Sequence, residues 1–128
     1  MHLFLAFLVT AACVTPQQTK QSDARTDLGT AYLKEGNPPD AVGALRSAVK
    51  LNPRNATAWE RLALAYMASE ALPEAEEAFQ KAMKLGTSED PGRIRYNYGL
   101  LLVKMGRFED GIEQFDLTLA DLTYRTPA

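Results

Sequence analysis

Few side chains in this sequence could do covalent chemistry, and their spacing argues against it. There is one histidine, His2, and one cysteine, Cys13. A hydroxyl nucleophile needs a base to activate it. Ser69, Thr87 and Ser88 have only His2 to call on, and His2 lies in an apolar leader-like stretch. One cysteine excludes an intrachain disulfide, and one cysteine with one histidine is too few for a zinc site. Carboxylates are more plentiful: Glu74, Glu76 and Glu77 form one cluster, and Glu109, Asp110, Glu113 and Asp116 a second. Paired carboxylates can hydrolyse a glycosidic bond. Both clusters, however, open predicted helices, where negative charge suits the positive helix end and nothing keeps water away. No glycine-rich phosphate loop is present. A formal net charge of −2 offers no basic patch to nucleic acid. These residues predict a protein that is not an enzyme, uses no cofactor or metal, and works by binding.

The amino-terminal end carries the other chemical feature. Residues 1–12, MHLFLAFLVTAA, form an apolar run with no Lys or Arg. A run this short does not span a bilayer as a helix, which takes about 20 residues. It fits the apolar core of a signal peptide. Ala11-Ala12-Cys13 resembles a bacterial lipobox, in which the cysteine is lipidated and becomes the new N-terminus. Thr10 departs from that pattern, where Leu or Val is usual, and so does the absence of a basic residue before the apolar run. An ordinary cleaved signal, or a frayed terminus with Cys13 buried, are the other readings of this end. Val14 in place of aspartate implies, by the same resemblance, the outer membrane. TPQQTK, residues 15–20, is polar and aperiodic, so residues 13–21 are expected to form a flexible tether.

The rest of the chain repeats. Gly29 and Ala63 are 34 residues apart, and Gly99 follows Ala63 by 36. Three units result, 22–55, 56–91 and 92–125. In the first, helix A is expected over about Asp23 to Lys34 and helix B over about Pro38 to Leu51, with Gly36 ending one and Asn37 capping the other. In the second, Asn55 caps helix A and helix B begins near Pro73. Asp90-Pro91 opens the third, after an insertion at Thr87 to Asp90. The core expected from the spacing is Leu28, Gly29, Tyr32, Ala41, Leu45 and Ala48 in unit one. It is Trp59, Leu62, Ala63, Tyr66, Ala75, Phe79 and Ala82 in unit two, and Tyr98, Gly99, Leu102 and Phe115 in unit three. Gly111 and Thr118 stand where the other units have alanine. A helical glycine costs roughly 1 kcal/mol against alanine, so the last helix is expected to be the least secure.

This alternation of large and small residues resembles the tetratricopeptide repeat, with LGTAYLKEGNPPDAVGALRSAVKLNP, residues 28–53, its clearest copy. The resemblance implies an all-α, right-handed solenoid of three helix–turn–helix units. It also implies a concave groove, lined by the A helices, that takes up a protein segment. The groove positions carried over are Thr26, Thr30 and Leu33, then Glu60, Leu64 and Met67, then Arg93, Tyr96, Leu100 and Val103. The family's carboxylate clamp would need cations or amides at Thr26, Thr30, Arg61, Arg93 and Asn97, and Arg93 alone clearly suits it. The apolar members suit an amphipathic helix or an apolar strand instead.

The end of the chain repeats the start of a unit. Helix B of unit three presents Ile112, Phe115, Leu119 and Leu122 with nothing following to cover them. Tyr124-Arg125-Thr126-Pro127 looks like the lead-in to a further helix, so residues 126–128 are expected to begin another repeat of a longer array. A short array whose last stripe meets a partner or a second copy is the other reading. Lipobox, tether and repeats together, with the stretch MKLGTSEDPGRIRYNYGLLLVKMGRFEDG, resemble the pilotin lipoproteins of type IV pilus biogenesis and stability. That resemblance implies a protein on the periplasmic face of the outer membrane, anchored through lipid on Cys13, that binds secretin subunits and assists their assembly. A general periplasmic or cytosolic adaptor is the alternative.

Overall fold

Thr15, Asn37, Asn55 and Asp90 cap helix starts with their side chains, while Ala71 opens a helix without such a bond. The computed structural model describes residues 13–86 and 90–125, with side chains to 121. The expected signal peptide, the inserted Thr87 to Glu89, the side chain of Leu122 and the start of a further repeat at 126–128 lie outside the described residues. Six helices follow in order: α1, Pro16–Lys34; α2, Pro38–Leu51; α3, Ala56–Ala68; α4, Leu72–Leu85; α5, Pro91–Lys104; and α6, Phe108–Arg125. Asn37, Asn55 and Asp90 accept hydrogen bonds from the first turns of α2, α3 and α5, and Pro38 and Pro91 take positions where a missing N–H costs nothing.

Helix α1 corrects the expected tether. It starts at Pro16, well before Asp23, because Thr15 and Gln18 close a capping box. The Thr15 hydroxyl accepts from the Gln18 amide at 3.2 Å, and the Gln18 side chain accepts from the Thr15 amide at 2.9 Å. The segment lacks apolar periodicity because the residues α1 buries are Ser22, Thr26 and Gly29, none of them a large apolar side chain. Cys13 is exposed, just ahead of this cap, which overturns the reading in which it is buried.

The helices pair as α1–α2, α3–α4 and α5–α6, and each pair docks its second helix on the first helix of the next. The core runs continuously through these contacts, from Ala41, Leu45 and Ala48 through Leu62, Ala63, Ala75, Phe79 and Ala82 to Tyr98, Leu101 and Leu102. Tyr32, Trp59 and Tyr66 are half-buried against it. Leu28 was expected in this core but is 39% exposed. Its counterparts Leu62 and Tyr98 are covered by the preceding unit, as the Phe79–Tyr98 ring contact at 6.1 Å shows. Among the described residues no unit precedes α1.

The glycines of unit three have a packing cause. A Cβ on Gly99 would come within 2.6 Å of the Phe115 ring, and one on Gly111 within 3.0 Å of the Gly99 carbonyl oxygen and 2.8 Å of Val103 Cγ2. The two glycines let α5 and α6 approach more closely than an alanine would. The turns use left-handed backbone at Gly36 and Gly106, and unit two places Glu70 there with φ 59°.

Candidate peptide-binding groove

The curvature of the array follows from which helices touch. Helix α1 lies against α3 and α3 against α5, while among the described residues α2, α4 and α6 make no contact with one another. The A helices α1, α3 and α5 are therefore drawn together on the inner side, and the B helices splay apart on the outer side. Residues one helical turn apart on the inner stripe of each A helix line a shared channel.

The structure divides the ten expected groove residues into two sets. Leu33, Leu64 and Met67 are half-buried, resting on the core with their outer edges open, and Val103 is likewise partly buried. Leu100 is 39% exposed and Tyr96 48%, its ring 5.5 Å from that of Phe115. Thr30 is half-buried and its hydroxyl donates to the Thr26 carbonyl at 2.8 Å. Leu33, Leu64, Met67 and Leu100 thus supply the apolar positions of the inner stripe, whereas Val103 packs beside Gly111 and Tyr96 on Phe115, both of α6.

Thr26, Glu60 and Arg93 are corrected. Thr26 is buried, its hydroxyl donating to the Ser22 carbonyl of its own helix at 2.8 Å and accepting from Asn55 Nδ2 at 3.5 Å, so it faces unit two and not a ligand. The Glu60 side chain is fully buried. Both of its oxygens accept from Arg93, one from Nε and the other from Nη2, each at 2.9 Å. This bidentate pair spans α3 and α5. Arg93 is thus engaged with Glu60, which removes the one cation that suited a carboxylate clamp. Close packing of neighbouring A helices is the reason in both cases: these polar side chains meet the adjacent unit before they meet the channel.

Asn55 is the residue that sequence reasoning placed only in part. Its oxygen caps α3 by accepting from the Ala58 amide at 3.0 Å. Its Nδ2 donates to Ser22 Oγ at 3.0 Å and to Asp23 Oδ1 at 3.1 Å, and Ser22 Oγ donates to the Ala48 carbonyl at 2.9 Å. The cap is also the stitch between units one and two. A second network ties unit two to unit three: Tyr98 and Arg107 both donate to Glu76 Oε1, at 2.9 and 2.6 Å. Burial pushes the Tyr98 hydroxyl above its ordinary acidity range, and the adjacent Glu76 carboxylate adds to this.

On the outer side, a cleft of about 650 Å³ opens between α2 and α4 over α3. Trp59 and Tyr66 form its floor. The Trp59 indole donates to the Pro53 carbonyl at 2.9 Å, and Lys81 Nζ sits 4.5 Å above its ring. Among the described residues no helix is long and apolar enough to cross a membrane.

The comparisons agree with this geometry. The tetratricopeptide repeat model matches residues 26–93. The type IV pilus assembly protein PilF of Pseudomonas aeruginosa is 29% identical over 132 residues, covering 95% of this chain and 52% of PilF. The chain thus spans about half the length of that relative. A solved structure of Pseudomonas aeruginosa PilF superposes with a TM-score of 0.72 at 29% identity, over 84% of this chain and 48% of that one. The second tetratricopeptide domain of Spaghetti (RPAP3), bound to an HSP90 peptide, superposes at 0.73 over 81% of this chain and 94% of its own, at 21% identity. With a family model over more than half of its length and three helical hairpins in the matching arrangement, the chain belongs to the tetratricopeptide repeat family of protein-binding scaffolds.

Proposed function

We propose that this chain is a lipid-anchored scaffold on the periplasmic face of the outer membrane. Its A-helix groove binds a segment of a secretin subunit and assists assembly of the pore for a type IV pilus. The observation that carries the reading is the make-up of the groove. Leu33, Leu64, Met67 and Leu100 supply an apolar strip, and the buried charge of Glu60 is neutralised by Arg93. Such a strip suits an amphipathic helix or an apolar strand, and the flexible Met67 side chain adapts to either. Similarity to PilF along most of the chain supports the link to the pilus. Lipid on the exposed Cys13, two residues before the Thr15 cap, would hold α1 close to the bilayer, with almost no tether between them.

In cells, fatty-acid labelling should mark the wild type and not Cys13→Ala. Deletion should reduce secretin multimers and pili. The groove variant Leu64→Glu/Met67→Glu should reproduce that loss while keeping the lipid label. Secretin multimers and pili unchanged by deletion would refute the pilus reading. A groove-dependent periplasmic partner other than a secretin would then favour a general adaptor, the reading to which the likeness to a peptide-bound domain also points.

A further inference from the structure

The outer cleft over α3 is built at the junction of units one and two, so neither end of the array shapes it. Each of three helices lines it over two turns: Gly43 to Lys50 on α2, Trp59 to Tyr66 on α3 and Glu74 to Lys81 on α4, a length of about 10 Å. Its volume of about 650 Å³ then leaves a cross-section of roughly 60 Å². That admits one extended strand, which takes up about 5 Å by 10 Å in stacked sheets, and excludes a helix about 10–12 Å across.

One residue of this cleft has no role in the fold. Gly29, Gly99 and Gly111 each leave room for a close neighbour, but a Cβ on Gly43, in the middle of α2, would meet nothing within 4 Å. Glycine weakens a helix interior against alanine, and what it provides here is a low wall over which another backbone can come close. The floor asks for no polar partner: Trp59 and Tyr66 are half-buried, and the indole N–H is already bonded to the Pro53 carbonyl. The walls differ in charge. Arg46 and Lys50, one turn apart on α2, are exposed and make no ion pair with a described side chain. On α4, Lys81 holds Glu77 at 3.0 Å and leaves Glu74 as the other acid of the lining.

We propose that this cleft takes an extended segment of a partner protein in which aromatic or other large apolar residues alternate with Asp or Glu. Side chains of a strand alternate between its two faces. The apolar ones lie on Trp59 and Tyr66, the acids turn outward to the long side chains of Arg46 and Lys50, and the backbone passes over Gly43. About three residues, at about 3.3 Å each, fill the length. This chain's own segments do not match. Its described residues are helical apart from short turns, residues 1–12 hold no acid, and 87–89 and 126–128 hold no large apolar side chain. The surface is separate from the A-helix groove, and the proposal does not rest on what the groove binds.

The test uses the 128-residue chain and reads the fluorescence of Trp59, its single tryptophan, during titration with capped peptides. The peptides have about nine residues, enough to overhang the cleft at both ends, and no tryptophan. In the first, Phe alternates with Glu. In the second, Lys replaces each Glu. The third keeps the composition of the first with Phe and Glu in separate blocks. The alternating Glu peptide should shift Trp59 emission and bind at least about tenfold more tightly than the other two, and more weakly as salt is raised. Arg46→Glu/Lys50→Glu should reverse the preference between the Glu and Lys peptides while keeping the wild-type circular dichroism spectrum, since both positions are exposed. Gly43→Gln should raise the urea midpoint through helix propensity and yet weaken the Glu peptide at least about tenfold, because its side chain closes the low wall. Equal affinity for the Glu and Lys peptides, no change in Trp59 emission with any peptide, or wild-type binding by Gly43→Gln would overturn the proposal. So would binding that disappears in Leu64→Glu/Met67→Glu, which would place the peptide in the groove. Sedimentation showing dimers that Gly43→Gln dissolves would also overturn it, by giving the cleft to a second copy of the chain.

Discussion

Replacing Arg93 with methionine leaves the Glu60 carboxylate without its partner. Glu60 is fully buried, and its two oxygens are held at 2.9 Å by a guanidinium that is itself 42% exposed. Breaking a buried pair from one side costs about 3–5 kcal/mol, because the remaining ion has neither water nor a counter-charge. The exposed flank of Arg93 gives water a path to the vacated site, so Arg93→Met should fall near the low end, about 3 kcal/mol. Glu60→Leu is not its mirror image. The freed arginine can swing its head into solvent over an apolar stem, and the loss should be about 1 kcal/mol or less. In Glu60→Leu/Arg93→Met no ion is stranded, and buried pairs replaced by apolar residues of similar volume commonly keep their stability. The double variant should therefore lie close to wild type, far below the roughly 4 kcal/mol sum of its parts. Urea unfolding followed by circular dichroism measures all four proteins. A Glu60→Leu variant less stable than Arg93→Met, or a double variant matching the sum, would refute the reasoning from unequal burial.

Two further perturbations separate local preference from packing. Helix propensity alone says that Gly111→Ala should stabilise α6 by roughly 1 kcal/mol. The new methyl would meet the Gly99 carbonyl at 3.0 Å, and backbone cannot move aside as Val103 can, so the variant should instead lose about 1–3 kcal/mol in the same urea assay. Tyr98 is raised above its ordinary value of 10.0 chiefly by burial, so the fold favours its neutral form. Its contribution is intact below pH 10, where the unfolded chain keeps the same proton, and is lost as pH rises through the higher folded value. Thermal melts of wild type and Tyr98→Phe across pH 7 to 11 should show a steeper alkaline decline in the wild type, and parallel curves would contradict this.

The fold was legible because its instructions are local or periodic. Gly29, Ala63 and Gly99 mark close helix approaches at near-constant spacing, and Asn37, Asn55 and Asp90 mark helix starts. Where this failed, the missing information was tertiary. Helix α1 carries too few large apolar side chains to show a stripe, and its first turns depend on a capping box between two polar residues. Leu28 satisfies the core pattern, but exposure depends on having a neighbouring unit, which spacing within a unit does not report.

The groove residues show a subtler version of the same limit. Repeat position put Thr26, Glu60 and Arg93 in the groove, whereas their polar atoms bond between units. It could not tell whether their polar atoms face a ligand or the next helix. The deciding partners are far along the chain: Ser22 meets Asn55 and Glu60 meets Arg93, each 33 residues on. The unit spacing differs at the two junctions, 34 residues from Gly29 to Ala63 and 36 from Ala63 to Gly99, so the two stitches join different repeat positions. What they share is that each ties an A helix to the one before it, and such pairs hold the array together, whereas Leu64 and Leu100 remain partly open or exposed.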